Sequence, residues 1–275
     1  QKNDPLKRDL FFKQKKENDY VLSSVLHMEV AALGSVLVCG KVPEDKLAYF
    51  VSISNFSYFQ DLGYDMLLQG GIKQLKSRTG FYRFQVALGL DTALSEGQIM
   101  AAIAPIEMPS DKEIECHTLP QKQLSLAHPK SPELKDPCMY MVDELTAIDL
   151  EKGSLVTTYH FPDDHPLIKG HFPNKPVFMG VLQWMGIEDS CFMLASYLFE
   201  KEQKTGAYQI SLDGSIYNQH GHLVAELKQV TVQIYYAHAP YLNQAEIIAT
   251  KKVIFKGMVF PNDTLTYVID NLTFL

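Results

Sequence analysis

Between residues 177 and 200 the apolar positions fall on every side of a helical wheel: Val181, Leu182, Trp184, Met185, Ile187, Phe192, Met193, Leu194, Tyr197 and Leu198. A helix without a polar face has to be buried on all sides. The flanking segments alternate instead, with the period of a strand. CMYMVDELTAIDL and GSLVTTYHF read as two strands about a turn at Glu151-Lys152-Gly153. Four more strand-like runs follow the helix: YQISLDGSIY, HLVAELKQVTVQIYY, AEIIATKKVIFKG and DTLTYVIDNLTF. One buried helix among these strands predicts a curved antiparallel sheet wrapped around it.

The N-terminal half repeats the pattern more faintly. DMLLQGGIKQLKS, residues 65–77, is predicted as a helix with Asp65 as its N-cap. A strand pair is predicted next, in TGFYRFQVALGLDTALSEGQIMAAIAPIEM. Thr79 and Thr205 open corresponding stretches, 126 residues apart (205 minus 79), which suggests an internal duplication. The segment 120–137, PQKQLSLAHPKSPELKDP, carries four prolines and no clear period. It reads as a linker, giving domains at 1–119 and 138–275 with 120–137 between them.

Composition narrows the function classes. The 275 residues are 46% hydrophobic and 21% charged, with a formal net charge of -7. An acidic balance argues against a nucleic-acid surface, and an acidic partner would need a local basic patch. No run of about 18 apolar residues is present, so no membrane span is expected. The polar N-terminus has no apolar core of a signal peptide. An opening Gln1 in place of Met is expected of a trimmed chain or of part of a longer one. Cys39, Cys116, Cys138 and Cys191 stand apart with no CxxC spacing, the usage of free thiols in the cytoplasm. His220-Gly221-His222 sits in a polar turn, and His160, His165 and His171 share no common face. No metal is therefore expected, and no glycine-rich nucleotide loop calls for a cofactor.

The stretch 170–180, GHFPNKPVFMG, places a histidine and two prolines directly ahead of the buried helix. With PCMYMVDELTAIDLEKGSLV before it and VLQ after it, this stretch resembles the bacterial (3R)-3-hydroxyacyl-[acyl carrier protein] dehydratases. Pro137, Val142 and Asp143 match that family's first strand. Gly170, His171, Phe172, Pro173, Pro176, Gly180, Val181 and Leu182 match its loop. KKVIFKGMVFPNDTLTYVI is similar to the strands that follow its helix. The fold implied is α+β, a double hotdog: two antiparallel sheets, each wrapped around a central helix, forming an internal pseudo-dimer, with a homodimer of chains as a further option.

The resemblance implies a substrate linked through a thioester to acyl carrier protein or coenzyme A. It makes His171 the base, held in place by Pro173 and Pro176, and makes the Gly180 N–H a donor to the thioester carbonyl. Phe172, Pro173, Phe178, Trp184 and Met185 would line the acyl site. The family's acid stands five residues after the helix glycine, and Met185 fills that slot here. In the family the carboxylate comes from the partner hotdog. Aligning DMLLQGGIKQ with GVLQWMGIED puts Gly70 in the corresponding slot and Phe56 opposite His171, so the first half offers neither group. Glu188 and Asp189, about one turn beyond Met185, are the candidate displaced acids. The expectation is a dehydratase whose acid is displaced or lost. The alternatives are an acyl-thioester-binding scaffold without catalysis and a hotdog thioesterase.

Overall fold

A computed structural model describes residues 10–16, 19–40, 42–64, 66–89, 91–105, 115–132, 134–169, 176–202, 206–236 and 244–275. His171, Phe172 and Pro173, the Asp65 cap and Thr205 lie outside the described residues.

Helix α2 (Gly180–Glu202) is the element expected from the sequence. Val181, Leu182, Trp184, Ile187, Cys191, Met193 and Leu194 are sealed from solvent, as a helix apolar all round requires. The strands around it are β8 (Glu144–Asp149), β9 (Ser154–His160), β10 (Gly206–Tyr217), β11 (Leu223–Tyr236), β12 (Gln244–Phe255) and β13 (Thr264–Phe274). The β8–β9 turn closes on Gly153, whose φ of 64° favours glycine. The last strand does not extend the edge. β13 inserts between β9 and β10, giving the order β12-β11-β10-β13-β9-β8.

The first half contains β1 (Phe12–Lys16), β2 (Asp19–Leu22), α1 (Leu26–Cys39), β3 (Leu47–Tyr58), β4 (Gly70–Arg78), β5 (Phe81–Leu88) and β6 (Ser95–Ala104). The predicted hairpin is β5–β6. The predicted helix at 65–77 is not a helix: residues 70–78 are the outermost strand of the sheet, and the helix of this half is α1. The physical reason is exposure. A strand with almost every residue in water, as β4 is, has no buried face to impose period two. The alignment of Gly70 with the acid slot and of Phe56 with His171 falls with that helix, since the two residues belong to β4 and β3.

The two hotdogs share one sheet of 11 strands, ordered β4-β5-β6-β3-β12-β11-β10-β13-β9-β8-β7, with β7 at Leu126–Ala127. The seam is the antiparallel pair β3–β12, where Ile53 stands opposite Val253, both fully buried. Helix α1 lies on β4–β6, α2 lies on β8, β9 and β11–β13, and the helices touch. Trp184 of α2 meets Phe56 of β3 edge-on, ring centroids 4.9 Å apart, so the first half helps to bury the second half's helix. The segment expected as a linker is bonded along the second half: the N–H groups of Gln123 and Leu124 donate to the Thr146 carbonyl, and β7 pairs with β8. Among the described residues no helix is long and apolar enough to cross a membrane.

One approach in this core is unusually close. A Cβ on Gly186 would stand 2.2 Å from the Tyr267 ring, so α2 can lie this near β13 only with glycine there. Gly186→Ala should cost about 1–3 kcal/mol through overpacking. In chemical denaturation, adding Tyr267→Leu should recover part of that loss, a non-additive pair. Additive losses would show that the approach is not what requires the glycine.

Candidate active site

A cavity of about 520 Å3 lies where the two hotdogs meet. One wall is the ribbon β1–β2, through Phe12 and Leu22, which stand opposite each other on one face. A second is α1, through Leu26, Glu29, Val30 and Leu33, the spacing of a single helix face. Leu62, Gly63, Tyr64, Met66 and Leu68 give the third. The second hotdog closes the fourth with Pro166, Leu167 and Met179. Leu167 and Met179 flank the GHFPNKP segment in the chain, four residues before His171 and eight after it.

Among the described residues Glu29 is the only carboxylate in this wall. Burial alone lifts its pKa to about 7, because the apolar surroundings disfavour the charged form. The group therefore keeps its proton to a higher pH than an ordinary glutamate does, which suits proton donation near neutrality. A second cavity of about 460 Å3, between α1 and the start of β3, shares Glu29 and Leu33 with the first.

Sequence reasoning missed Glu29, yet the signal was present. Ser24-Val25-Leu26 at the head of α1 corresponds to Gly180-Val181-Leu182 at the head of α2, and Glu29 follows Ser24 by five residues, as Met185 follows Gly180. The first half thus keeps a carboxylate in the slot that the second half has given to methionine. His27 is a different case. It is buried on the other side of α1, with Nδ1 3.0 Å from Ser95 Oγ, and burial lowers its pKa to about 4.

Glu188 and Asp189 lie elsewhere, in the wall of a pocket of only about 40 Å3. Glu188 Oε1 accepts from Ser23 Oγ at 3.2 Å and lies 3.4 Å from Lys13 Nζ, while Oε2 accepts the Ile247 N–H at 3.0 Å. Lys13 also reaches Glu246 at 2.5 Å. Burial raises the Glu188 pKa to about 7, with Glu246 adding to the rise and Lys13 and the Ile247 N–H opposing it. Burial pulls the Lys13 pKa down, but the two carboxylates override it and leave it raised. Asp189 accepts from Lys135 Nζ and from the Met141 N–H, both at 2.6 Å. Both carboxylates are thus engaged in joining α2 to neighbouring segments.

The other predicted site residues divide between cavity and core. Gly180 is the first residue of α2 and, with Phe178 and Gln183, lines a further cavity of about 460 Å3. A Cβ at Gly180 would come within 2.9 Å of the Phe255 ring, so the helix start needs glycine for space. Phe178 packs on Phe161, centroids 4.5 Å apart, and its N–H donates to the Val259 carbonyl. Trp184 is a core residue. Met185 is packed among Phe12, Ser23, Lys135 and Met139 around a void of about 10 Å3, too small for a ligand. Among the described residues no group of His, Cys, Asp and Glu is arranged to hold a metal ion. The His220-Gly221-His222 turn is closed by Asn218, whose side chain accepts from both histidine N–H groups.

A sheet shared by two hotdogs, with a cavity where the two halves meet, defines a double-hotdog protein. Residues 134–237 match the family model of the FabA-like domain. No curated protein matches the chain. Among solved structures, the chain is similar to the dehydratase domain from the CurF module of curacin polyketide synthase, at 10% identity over 90% of this chain and 87% of that one, TM-score 0.42. It is similar to a putative thioesterase from Novosphingobium aromaticivorans, at 11% identity over 90% and 93%, TM-score 0.44. It is also similar to the dehydratase domain of RzxB from Pseudomonas fluorescens, at 11% identity over 95% and 90%, TM-score 0.41.

The ion cluster makes a clear prediction. Lys13→Met leaves Glu188 and Glu246 buried without their cation and should cost about 3–5 kcal/mol near pH 8. A carboxyl whose folded pKa is raised loses stability as pH rises through that value. With Lys13 gone the Glu188 pKa rises further, because Lys13 opposes the rise, so the deficit should shrink as pH is lowered from 8 through neutrality, in denaturant melts at several pH values. A deficit independent of pH would mean that Lys13 does not balance Glu188.

Proposed function

We propose that this protein is a (3R)-3-hydroxyacyl-thioester dehydratase with a composite site: Glu29 from the first hotdog is the acid and His171 from the second is the base. The observation that carries the reading is a protonatable carboxyl in an apolar wall, in a cavity also lined by residues on both flanks of the His171 segment. In the dehydrating direction His171 takes the proton from the carbon next to the thioester carbonyl. The bond from the β-carbon to its hydroxyl breaks, Glu29 supplies the proton, and water leaves. Gly180, the carbonyl donor that the resemblance implies, lines a different cavity from Glu29, so the reading rests on Glu29 and His171. Acyl carrier protein or coenzyme A would carry the substrate. Glu188 and Asp189 have a structural role, and the second potential site, at Met185, is filled by side chains.

The test is hydration and dehydration of crotonyl and 3-hydroxybutyryl thioesters by wild type, His171→Ala, Glu29→Gln and Asp189→Asn. The first two variants should lose about 10²–10⁴-fold in kcat, with melting temperatures near wild type for Glu29→Gln. Asp189→Asn should lower stability and leave kcat of the folded enzyme within a few-fold. Full activity in Glu29→Gln contradicts the assignment, and release of free thiol in place of hydration points to a thioesterase.

The acid must be protonated to act in dehydration. Its kcat/KM should therefore fall as pH rises through about 7. A profile flat from pH 6 to 8 would separate Glu29 from the proton transfer.

A further inference from the structure

We propose that Phe12, carried on a ribbon outside the main sheet, sets the acyl-chain length that the cavity takes and holds this protein to short chains. The inference rests on the reading of Glu29 as the group beside the reacting carbon.

The cavity has a closed end and an open one. Leu26 and Leu62 are almost fully buried, 2% and 4% exposed, while Leu33 and Tyr64 are 62% and 57% exposed. Leu26 precedes Glu29 by three residues, so the closed end lies about 4.5 Å along the helix axis from the carboxyl's turn. That leaves room for a few carbons beyond the reacting centre. A longer chain has to run against the ribbon, where Phe12 stands between Leu22 and the Tyr64 ring, whose centroid is 5.1 Å away at 74°.

Phe12 is also held there. The ribbon β1–β2 is a separate two-stranded sheet, so no strand pairing with the main sheet fixes its position. Its anchors come from the residues that follow Phe12. Lys13 reaches into the cluster with Glu246 and Glu188, and Lys15 pairs with Asp61 at 2.7 Å. The Gln14 N–H donates to the Leu134 carbonyl at 2.6 Å. Moving the ring aside by moving its strand would break a buried ion cluster. The ring is therefore a fixed wall, and chain length meets it as a steric limit.

The experiment measures kcat/KM for 2-enoyl thioesters of four, six, eight and ten carbons, and Kd for the saturated butyryl and octanoyl thioesters by calorimetry. Wild type is compared with Phe12→Leu, Phe12→Ala and a control, Phe81→Ala, an exposed aromatic on β5. Wild type should favour four or six carbons. Phe12→Ala should raise the eight-to-four-carbon ratio by about tenfold or more, the scale on which a pocket senses a methylene or two. Phe12→Leu should fall between, and the control should keep the wild-type ratio. A wild-type preference for long chains, or an unchanged ratio in Phe12→Ala with a normal melting curve, overturns the proposal. Binding separates it from the catalytic reading. Length-selective binding that Phe12→Ala relaxes, with no turnover by wild type, supports the wall and sinks the dehydratase. No binding of either thioester overturns both.

Discussion

Helix α2 has no side it can leave in water, and the rest of the molecule follows from that. Its own strands cover one part of the surface, and the edge β12 ends before the cover is complete. Pairing β12 with β3 carries the sheet onward and brings Phe56 onto Trp184. The same pairing sets α1 beside α2, and a cavity is left between α1, the β1–β2 ribbon and the residues just ahead of α2. The candidate site is thus a consequence of burying one helix. Its residues come from both halves because neither half closes the cavity alone.

Two carboxyls among the described residues have pKa values raised to about 7, and their surroundings differ. Glu188 has a lysine, a serine and a backbone N–H within reach. It is satisfied where it is, in a pocket with space for little more than water. Glu29 faces apolar side chains, and burial is the sole cause of its shift. A perturbed carboxyl with structural partners stabilises a joint. One with none among the described residues, on a cavity of about 520 Å3, suits the acid role proposed for it. Partners and space separate the two where the shift alone does not.

The second hotdog was legible from its sequence because every element there is either wholly or half buried. Full burial makes α2 apolar all round, and half burial makes β10 and β11 alternate. The GHFPNKP loop carried the family. The first half was harder for a physical reason. β4 is an edge strand in water and shows no alternation, while α1 presents Leu33 and Leu37 to solvent and is rich in valine, so neither has the pattern of its type. Misplacing that helix hid the carboxylate. Comparing Ser24-Val25-Leu26 with Gly180-Val181-Leu182, in place of searching for an amphipathic helix, would have reached Glu29 without coordinates.

The central claim is that Glu29 is an acid poised near neutrality, and the most direct measurement is its own titration. Infrared difference spectra between wild type and Glu29→Gln, taken across pH 4 to 9, isolate the carboxyl band of this one residue. The account predicts a protonated-carboxyl signal that disappears with a midpoint near 7. A midpoint below about 5, the range of an ordinary solvated glutamate, would contradict it.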